Sequence, residues 1–159
     1  MITRTLPVRS EVAREHTWDA ESVFASEAAW QAEFDQVSTS LPDLAEFKGH
    51  LGAGPDQVAD YFQAAEAALR SLGRIQVYAN MFTAVDSSDQ AASARSERAR
   101  SLAARVNAAI SFADPEMLAI GIPRLRQWAL EHERLRIYDH HFERLGRRQA
   151  HVRSDEVEE

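Results

Sequence analysis

The sequence predicts an all-α fold, a helical bundle built on a long antiparallel helical hairpin. Two stretches, at about 55–86 and 88–112, carry apolar residues at steps of three and four, which places those residues on one helical face. Only a few polar residues join the two helices, so they must fold back on each other to bury their apolar faces. The sequence contains no convincing alternation of apolar and polar residues of the kind that is typical of strands.

The first helix of the hairpin begins at Gly54-Pro55, with glycine at the cap and proline at the first helical position. Asp56 adds a negative charge where the helix dipole favours one. This helix would be roughly 45 Å long at about 1.5 Å per residue, so we expect the rest of the chain to pack along it. Its apolar face consists of Tyr61, Ala65, Ala68, Leu72, Ile75, Ala79 and Phe82.

The second helix of the hairpin is predicted to begin after Ser87. Ser87 and Gln90 have the spacing of a capping box, in which each side chain satisfies a backbone N–H at the start of the helix. Asp86 and Asp89 are interpreted as turn and cap residues rather than as paired catalytic carboxylates. The apolar face comprises Ala99, Leu102, Val106, Ala109 or Ile110, and Ala113.

The segment before the hairpin begins with an extended arm over residues 1–17, and a single helical domain over 18–159 is predicted to follow. Asp19 is predicted to cap a short helical turn, and Trp18 and Phe24 to anchor this turn to the core.

A helix capped by Ser26 should run over about 27–39, since Trp30 shares one apolar face with Phe34 and Val37. Leu41-Pro42 is expected to break this helix, and a short helix over 43–47 to follow it. Gly49 suits a left-handed backbone position beyond the end of that short helix.

After the hairpin, Asp114-Pro115 predicts the start of a short helix that Gly121 ends. A last long helix is predicted over about 123–145, with Gly146 as its stop, and Ser154-Asp155-Glu156 resembles the start of a further helix. The apolar face of the last long helix comprises Leu125, Trp128, Leu135, Tyr138, Phe142 and Leu145.

The net charge of −7 argues against nucleic acid as the main partner. Eleven acidic residues lie within 11–60, against Arg14 and Lys48, whereas eight arginines lie within 124–153. We interpret the two regions as neighbours that soften each other's field; a basic groove for an acidic ligand is the alternative. The absence of cysteine, of a signal peptide and of a membrane span leads us to expect a cytoplasmic protein.

No catalytic, cofactor-binding or metal-binding residue is predicted in this chain. The HExxH motif of zinc peptidases is absent, and its nearest counterpart, His132-Glu133-Arg134-Leu135-Arg136, has arginine where the second histidine should be. A metal site that uses His140, Glu143 and His151 is kept as a remote alternative, because further ligands would have to come from other helices.

Other histidines interrupt or border the apolar face of the last helix. Glu131 and His132 are interpreted as a hydrogen-bonded or partly exposed pair at the edge of the core, with a ligand-facing role in a cleft as the alternative. We expect His141 to lie near the apolar face and His140 to be solvated.

Five short strings follow one another along the chain. They are Trp18-Asp19 with Phe24; Phe47-Lys48-Gly49-His50-Leu51; Tyr78-Ala79 with Asp86; Phe112 with Pro115-Glu116; and Tyr138 with His140, Arg147 or Arg148, His151, Ser154 and Glu158-Glu159. In this order they make the chain similar to the N-terminal domain of the oligoendopeptidase F family, zinc metallopeptidases related to thimet oligopeptidase. Ala20 and Arg153 depart from the family's usual leucines.

This resemblance implies that zinc and the catalytic HExxH belong to a catalytic domain beyond this chain, which would then be a fragment or the product of a truncated gene. It implies that the N-terminal domain forms one wall of a channel that admits short peptides to the zinc site, without cleaving bonds itself. The partners expected are therefore the catalytic domain and, for the parent enzyme, short peptides. The alternative function is a stand-alone helical interaction module, such as a homodimer formed through exposed apolar surface.

Overall fold

The protein, described here by a computed structural model, is all-α, as the sequence predicts. The structure describes residues 11–155, with side chains through Arg148, and this part of the chain contains no strand. Short 3-10 helices occur at Arg14–His16, Ala20–Ser22, Leu51–Ala53 and Glu133–Tyr138. The α-helices are α1 (Glu27–Ala45), α2 (Pro55–Val85), α3 (Gln90–Ile110), α4 (Ala113–Ile120), α5 (Ile122–Glu131) and α6 (Asp139–Asp155). None of the helices in residues 11–155 has the length and apolar character needed to span a membrane.

The chain divides into two compact units. The first unit contains the chain up to Thr39 together with Ala68–Val106, and the second contains Ser40–Ala67 together with the chain from Asn107 onward. Helices α1, α2 and α3 therefore each contribute residues to both units.

The core of the first unit is organised around Trp30, which is completely buried. Its indole N–H donates a hydrogen bond to the carbonyl oxygen of Ile75, 3.0 Å away on α2. Phe24 is also buried, as predicted, and meets the ring of Tyr78 edge-on at 5.4 Å. Trp18 was expected to anchor the same segment, but this prediction is wrong because its side chain remains 54% exposed.

Helix α1 begins where Ser26 caps it, since the Ser26 hydroxyl accepts a hydrogen bond from the N–H of Ala29 at 3.2 Å. The predicted break at Leu41-Pro42 is wrong, and the separate helix over 43–47 is not formed: α1 continues through Pro42 to Ala45. Pro42 has no N–H to donate to the carbonyl of Ser38, so α1 lacks this one backbone bond. The carbonyl of Pro42 still accepts a hydrogen bond from the N–H of Glu46 at 3.1 Å. Leu41 and Leu44 are both buried in the second unit, which favours the helical path.

The hairpin starts as predicted, with α2 beginning at Pro55, and Gly49 before it takes the expected positive φ of 84°. The cap of α3 differs from the prediction, since α3 begins at Gln90 and the cap is Asp89. Oδ1 of Asp89 accepts hydrogen bonds from the N–H groups of Ala91 at 2.8 Å and Ala92 at 3.1 Å. The capping box from Ser87 to Gln90 is therefore wrong.

The predicted apolar faces of the hairpin are buried, apart from their ends. On α2 the exception is Phe82, which is half-buried. The buried residues of these faces are Tyr61, Ala65, Ala68, Leu72, Ile75, Ala79, Ala99, Leu102 and Val106.

The predicted helix over 123–145 is wrong as a single element. It is divided into α5 and α6 by residues 132–138, which we call the strap. His132 takes an extended conformation with φ −112° and ψ 115°, and the 3-10 helix Glu133–Tyr138 follows.

Gly146 does not stop α6, which continues to Asp155, and Ser154 therefore starts no new helix. A Cβ at Gly146 would lie 3.0 Å from Cγ1 of Ile122, so glycine allows α6 to approach the start of α5 closely. Glu156 lies outside the described residues.

The core of the second unit lies between the first half of α2 and the last helices. Tyr61 on α2 meets the rings of Phe47 at 5.8 Å and Phe112 at 5.6 Å. Helix α4 begins at Ala113, beside the predicted Asp114-Pro115 start, and ends as predicted at Gly121, whose φ is +96°.

Candidate functional site

A row of polar contacts joins the strap to α2 in the second unit. Nε2 of His132 lies 2.9 Å from Oδ1 of Asp56. Arg134 donates to Oδ1 of Asp60 at 2.6 Å and to Oε1 of Gln63 at 3.0 Å. Further along the same face of α2, the hydroxyl of Tyr138 donates to Oε1 of Glu66 at 2.6 Å.

This row explains why the chain leaves the helix at residue 132. The acceptors on α2 follow one another at steps of four and three, so they share one helical face. Leu135 is completely buried beneath the strap, between the polar contacts on either side of it. An uninterrupted helix would turn these side chains in several directions, whereas the strap directs them all towards α2.

The contact between Asp56 and His132 is partly solvated, since the side chains are 83% and 22% exposed. Nδ1 of His132 is buried and has no hydrogen-bond partner among the described residues. Glu131 is exposed and accepts a hydrogen bond from Gln127 at 2.9 Å. Glu131 and His132 are both hydrogen-bonded, as predicted, but to separate partners, and only His132 is partly buried.

The histidines of α6 differ in environment, as predicted. His140 is exposed and lies 3.6 Å from Glu143. His141 is half-buried and meets the ring of Phe62 edge-on at 5.5 Å. Burial lowers the pKa of His141; nearby Asp114 acts in the opposite direction, and Arg144 and Arg148 lower it further.

The carboxylates at the hairpin tip accept hydrogen bonds from neighbouring residues of the tip. Oδ1 of Asp86 accepts a hydrogen bond from the N–H of Ser88 at 2.8 Å, and this contact, with the Ser88 hydroxyl, lowers the pKa of Asp86. Asp89 caps α3. The interpretation of Asp86 and Asp89 as turn and cap residues is confirmed.

The described residues do not fit a zinc site. They contain no group of three or more His, Cys, Asp or Glu side chains placed to hold a metal ion. In the segment that most resembles HExxH, His132 already contacts Asp56, and a 3-10 helix replaces the α-helix that would bring positions four apart to one face. The side chain of His151 lies outside the described part, so the site with His140 and Glu143 stays untested.

Two of the recognised strings meet in space. The backbone N–H of Gly49, in the second string, donates to Oε1 of Glu116, in the fourth, at 2.6 Å. The two strings also share the ring contacts of Phe47 and Phe112 with Tyr61. These residue types therefore have a structural role, joining the turn before α2 to the start of α4.

Sequence reasoning missed two exposed aliphatic side chains, one near the end of α5 and one within the strap. Leu130 is 77% exposed and Ile137 is 76% exposed. Arg136, next to Ile137, is exposed and has no ion pair or hydrogen bond within the described part of the chain. The only sequence signal is that Leu130 and Ile137 lie off the predicted apolar face. Large exposed aliphatics of this kind mark candidate interaction surfaces.

Comparisons with known proteins agree with the five strings. The family described as Oligopeptidase F matches residues 116–159. Oligopeptidase PepF of Bacillus subtilis (strain 168) is 33% identical over 153 residues, which cover 96% of this chain and 23% of that protein. Group B oligopeptidase PepB of Streptococcus agalactiae is 27% identical over 151 residues, covering 95% of this chain and 25% of that protein.

A third relative, an oligoendopeptidase F homolog of Lactococcus lactis, is 26% identical over 151 residues, covering 94% of this chain and 25% of that protein. The chain thus spans about a quarter of the length of the curated relatives that it matches. No solved structure matches it significantly. The predicted resemblance is confirmed: the chain is similar along nearly its whole length to part of the oligoendopeptidase F relatives, as expected for the N-terminal domain of that family.

Proposed function

We propose that this chain is the non-catalytic N-terminal domain of a zinc metalloendopeptidase that hydrolyses short peptides, and that it forms one wall of the channel through which peptides reach the zinc. The similarity along 96% of the chain to 23% of Oligopeptidase PepF carries this proposal. In this proposal the zinc, its activated water and the glutamate base belong to the catalytic domain. The proposal assigns no catalytic, cofactor-binding or metal-binding role to any residue of this chain.

Exposed residues of the strap and of α5 support an association with the remainder of such an enzyme. Leu130 and Ile137 present large apolar groups that a partner surface would remove from water. Arg136, next to Ile137 in the chain, adds a positive charge that has no ion pair among the described residues. We propose that the catalytic domain covers these residues. The proposal also includes one helical domain over 18–159 and a location in the cytoplasm. The extended arm predicted over 1–17 is wrong at Arg14–His16, which form a 3-10 helix, and residues 1–10 lie outside the described part.

A chimera tests the proposed function. This chain would replace the 153 aligned residues of Oligopeptidase PepF, and hydrolysis of a fluorogenic oligopeptide would be compared with the parent enzyme and with a version that lacks those residues. We expect activity in the chimera and its loss in the deletion. A folded chimera without activity, beside an active parent, contradicts the proposal.

The isolated chain provides a second test. It should neither hydrolyse peptides nor retain zinc after dialysis, and turnover that a chelator abolishes would overturn the assignment of a non-catalytic role.

The homodimer is the second candidate, and the same exposed aliphatics favour it. Light scattering on the isolated chain distinguishes the two. A stable dimer that Leu130→Asp and Ile137→Asp convert to a monomer supports the interaction module, whereas a monomer supports the domain of a larger enzyme.

A further inference from the structure

A groove of about 720 Å³ lies in the first unit, between the short 3-10 turns of residues 14–22 and α2. Its volume falls within the range of small-molecule sites, about 300–1,000 Å³. The side chains that matter for recognition are Glu15, Trp18, Asp19, Glu21, Tyr78 and Phe82. Two of the recognised strings, Trp18-Asp19 and Tyr78-Ala79, therefore meet at one groove.

The aromatic side chains leave two groups available to a ligand. Trp18 is 54% exposed, whereas Trp30 and Trp128 are buried. Tyr78 is only 5% exposed, and its ring is held by Phe24 at 5.4 Å and Phe82 at 5.0 Å. Its hydroxyl has no hydrogen-bond partner among residues 11–148, and it is not one of the fully buried polar atoms that lack a partner. The hydroxyl therefore reaches solvent in the groove that Tyr78 lines, where a ligand can bind it.

The carboxylate side chains give the groove a net negative charge. Arg14 is ion-paired with Glu21, and Glu15 has only a distant contact of 3.7 Å with His16. Asp19 was expected to cap the turn at residues 20–22, but its side chain makes no cap hydrogen bond, and no other partner exists within the described part.

The nearby cations already have partners. Arg14 lines the groove and is paired with Glu21. The guanidinium of Arg95 lies 5.0 Å from the ring centroid of Phe82, but its Nη2 is 2.9 Å from Glu27 and Arg95 does not line the groove.

We propose that this groove binds the cationic side chain of a lysine or arginine in a short peptide, a choice of ligand that rests on the proposed function. The cation meets the carboxylates of Glu15 and Asp19 and packs against the exposed face of Trp18, where ring and charge attract each other. It donates a hydrogen bond to the hydroxyl of Tyr78. The site selects basic peptides before they reach the catalytic domain, and it is a binding site only.

Peptide binding can be measured through the fluorescence of Trp18. Acrylamide should quench Trp18 readily because it is exposed, whereas the other tryptophans are buried. The probe is a blocked alanine pentapeptide with a central arginine, titrated into the full chain. We expect it to protect Trp18 from quenching, less so at high salt, because screening weakens exposed charge pairs. Peptides with a central glutamine or glutamate should protect much less. No protection, or equal protection by the glutamate peptide, overturns the proposal.

Variants of the groove residues test whether the protection of Trp18 from quenching results from peptide binding in this groove. Asp19→Asn and Glu15→Gln should each weaken binding about two- to fivefold, the range for exposed charge pairs. Tyr78→Phe should weaken it about two- to tenfold through the lost hydrogen bond, without unfolding the chain. Glu97→Gln, which removes an exposed carboxylate on α3 paired with Arg100, is the matched control and should bind as the parent does.

Two results separate this proposal from the proposed function. Unchanged affinity in Asp19→Asn, Glu15→Gln and Tyr78→Phe overturns the groove as the binding site. The chimera with Oligopeptidase PepF reports on the proposed function independently, since an active chimera with no peptide protection of Trp18 rejects the groove alone.

Discussion

The phenol ring of Tyr138 lies flat on the ring of Phe62, with centroids 4.0 Å apart and planes 9° apart. Its hydroxyl reaches further along α2 and donates to Glu66 at 2.6 Å. One side chain therefore fixes the end of the strap through an apolar and a polar contact. The hydrogen bond spans 72 residues of sequence, so the strap adopts its path only once α2 is in place.

The ionisation of Tyr138 should report its contact with Glu66. Burial, followed by the hydrogen bond to Glu66 and its charge, raises the pKa of Tyr138 to about 12, and burial followed by the charge of Asp114 raises that of Tyr61 to about 12. Both native pKa values exceed the ordinary tyrosine value of 10.0, so the stability involved is complete below pH 10 and is lost as pH rises towards 12.

Ultraviolet titration of tyrosinate measures this directly. Tyr138→Phe should remove one of the late-titrating groups while retaining the stack on Phe62. Native protein in which all tyrosines titrate near their ordinary value would contradict the prediction.

His141 should titrate below an ordinary histidine. Burial lowers its pKa from 6.5, so the unfolded chain binds more protons as pH falls. The stability due to neutral His141 is therefore complete above pH 6.5 and is lost as pH falls through its native pKa. NMR titration should show this shift, and His141→Leu should reduce the acid sensitivity of unfolding. His140→Gln, at a side chain 77% exposed, is the control and should leave that sensitivity unchanged.

The cap of α3 distinguishes the structure from the sequence prediction. Asp89→Ala should lower the free energy of unfolding by about 1 kcal/mol, because two backbone N–H groups lose their acceptor. Ser87→Ala should change it by less than about 0.5 kcal/mol. Urea unfolding of both variants measures the difference. A larger loss for Ser87→Ala would favour the capping box.

Trp30 should be among the most sensitive core positions. Trp30→Ala removes a fully buried indole and its hydrogen bond to Ile75, and should cost about 3–5 kcal/mol. Trp30→Phe should cost less, since most of the ring contact with Phe34 remains. Trp18→Ala is the control, and at an exposed site it should cost below about 0.5 kcal/mol. Equal losses for Trp30→Ala and Trp18→Ala in thermal unfolding would refute this account of the core.

Two glycines should respond in opposite directions to alanine. Gly121 has a φ of +96°, so Gly121→Ala should destabilise the protein by about 1–3 kcal/mol through backbone strain. Gly73 lies within α2, where a Cβ would meet nothing within 4 Å. Gly73→Ala should stabilise the protein by about 0.5–1 kcal/mol, since alanine favours the helix. Denaturant midpoints measured side by side test the pair, and a stabilising Gly121→Ala would contradict it.

Local periodicity was enough to predict α2 and α3 because each buries one continuous face. Periodicity was not enough at residue 132. There the apolar pattern favours a continuous helix, whereas the contacts of His132 and Arg134 with α2 favour the strap. The apolar residues of the predicted last helix are still mostly buried, as Leu125, Leu135 and Phe142 show. The prediction is wrong for the backbone between these residues, because the α2 side chains that contact the strap lie far away in sequence.

The candidate site shows the same division. The sequence indicated that Asp86 and Asp89 serve the hairpin tip, because these roles depend on near neighbours. It placed His132 at the core edge but could not identify its partner Asp56, which lies 76 residues away. It could not show that Leu130, Ile137 and Trp18 remain exposed, since the exposure of an apolar side chain depends on which other elements fail to cover it.

The sequence by itself determined the helical class, the hairpin and the family resemblance, because helical periodicity and short ordered strings are properties of neighbouring residues. Only the tertiary structure decided that Pro42 stays within α1, that the strap interrupts the last helix, and that Trp18 and Tyr78 line one groove. Each of these depends on contacts between distant segments, whose combined free energy outweighs the weak local preference of a few residues.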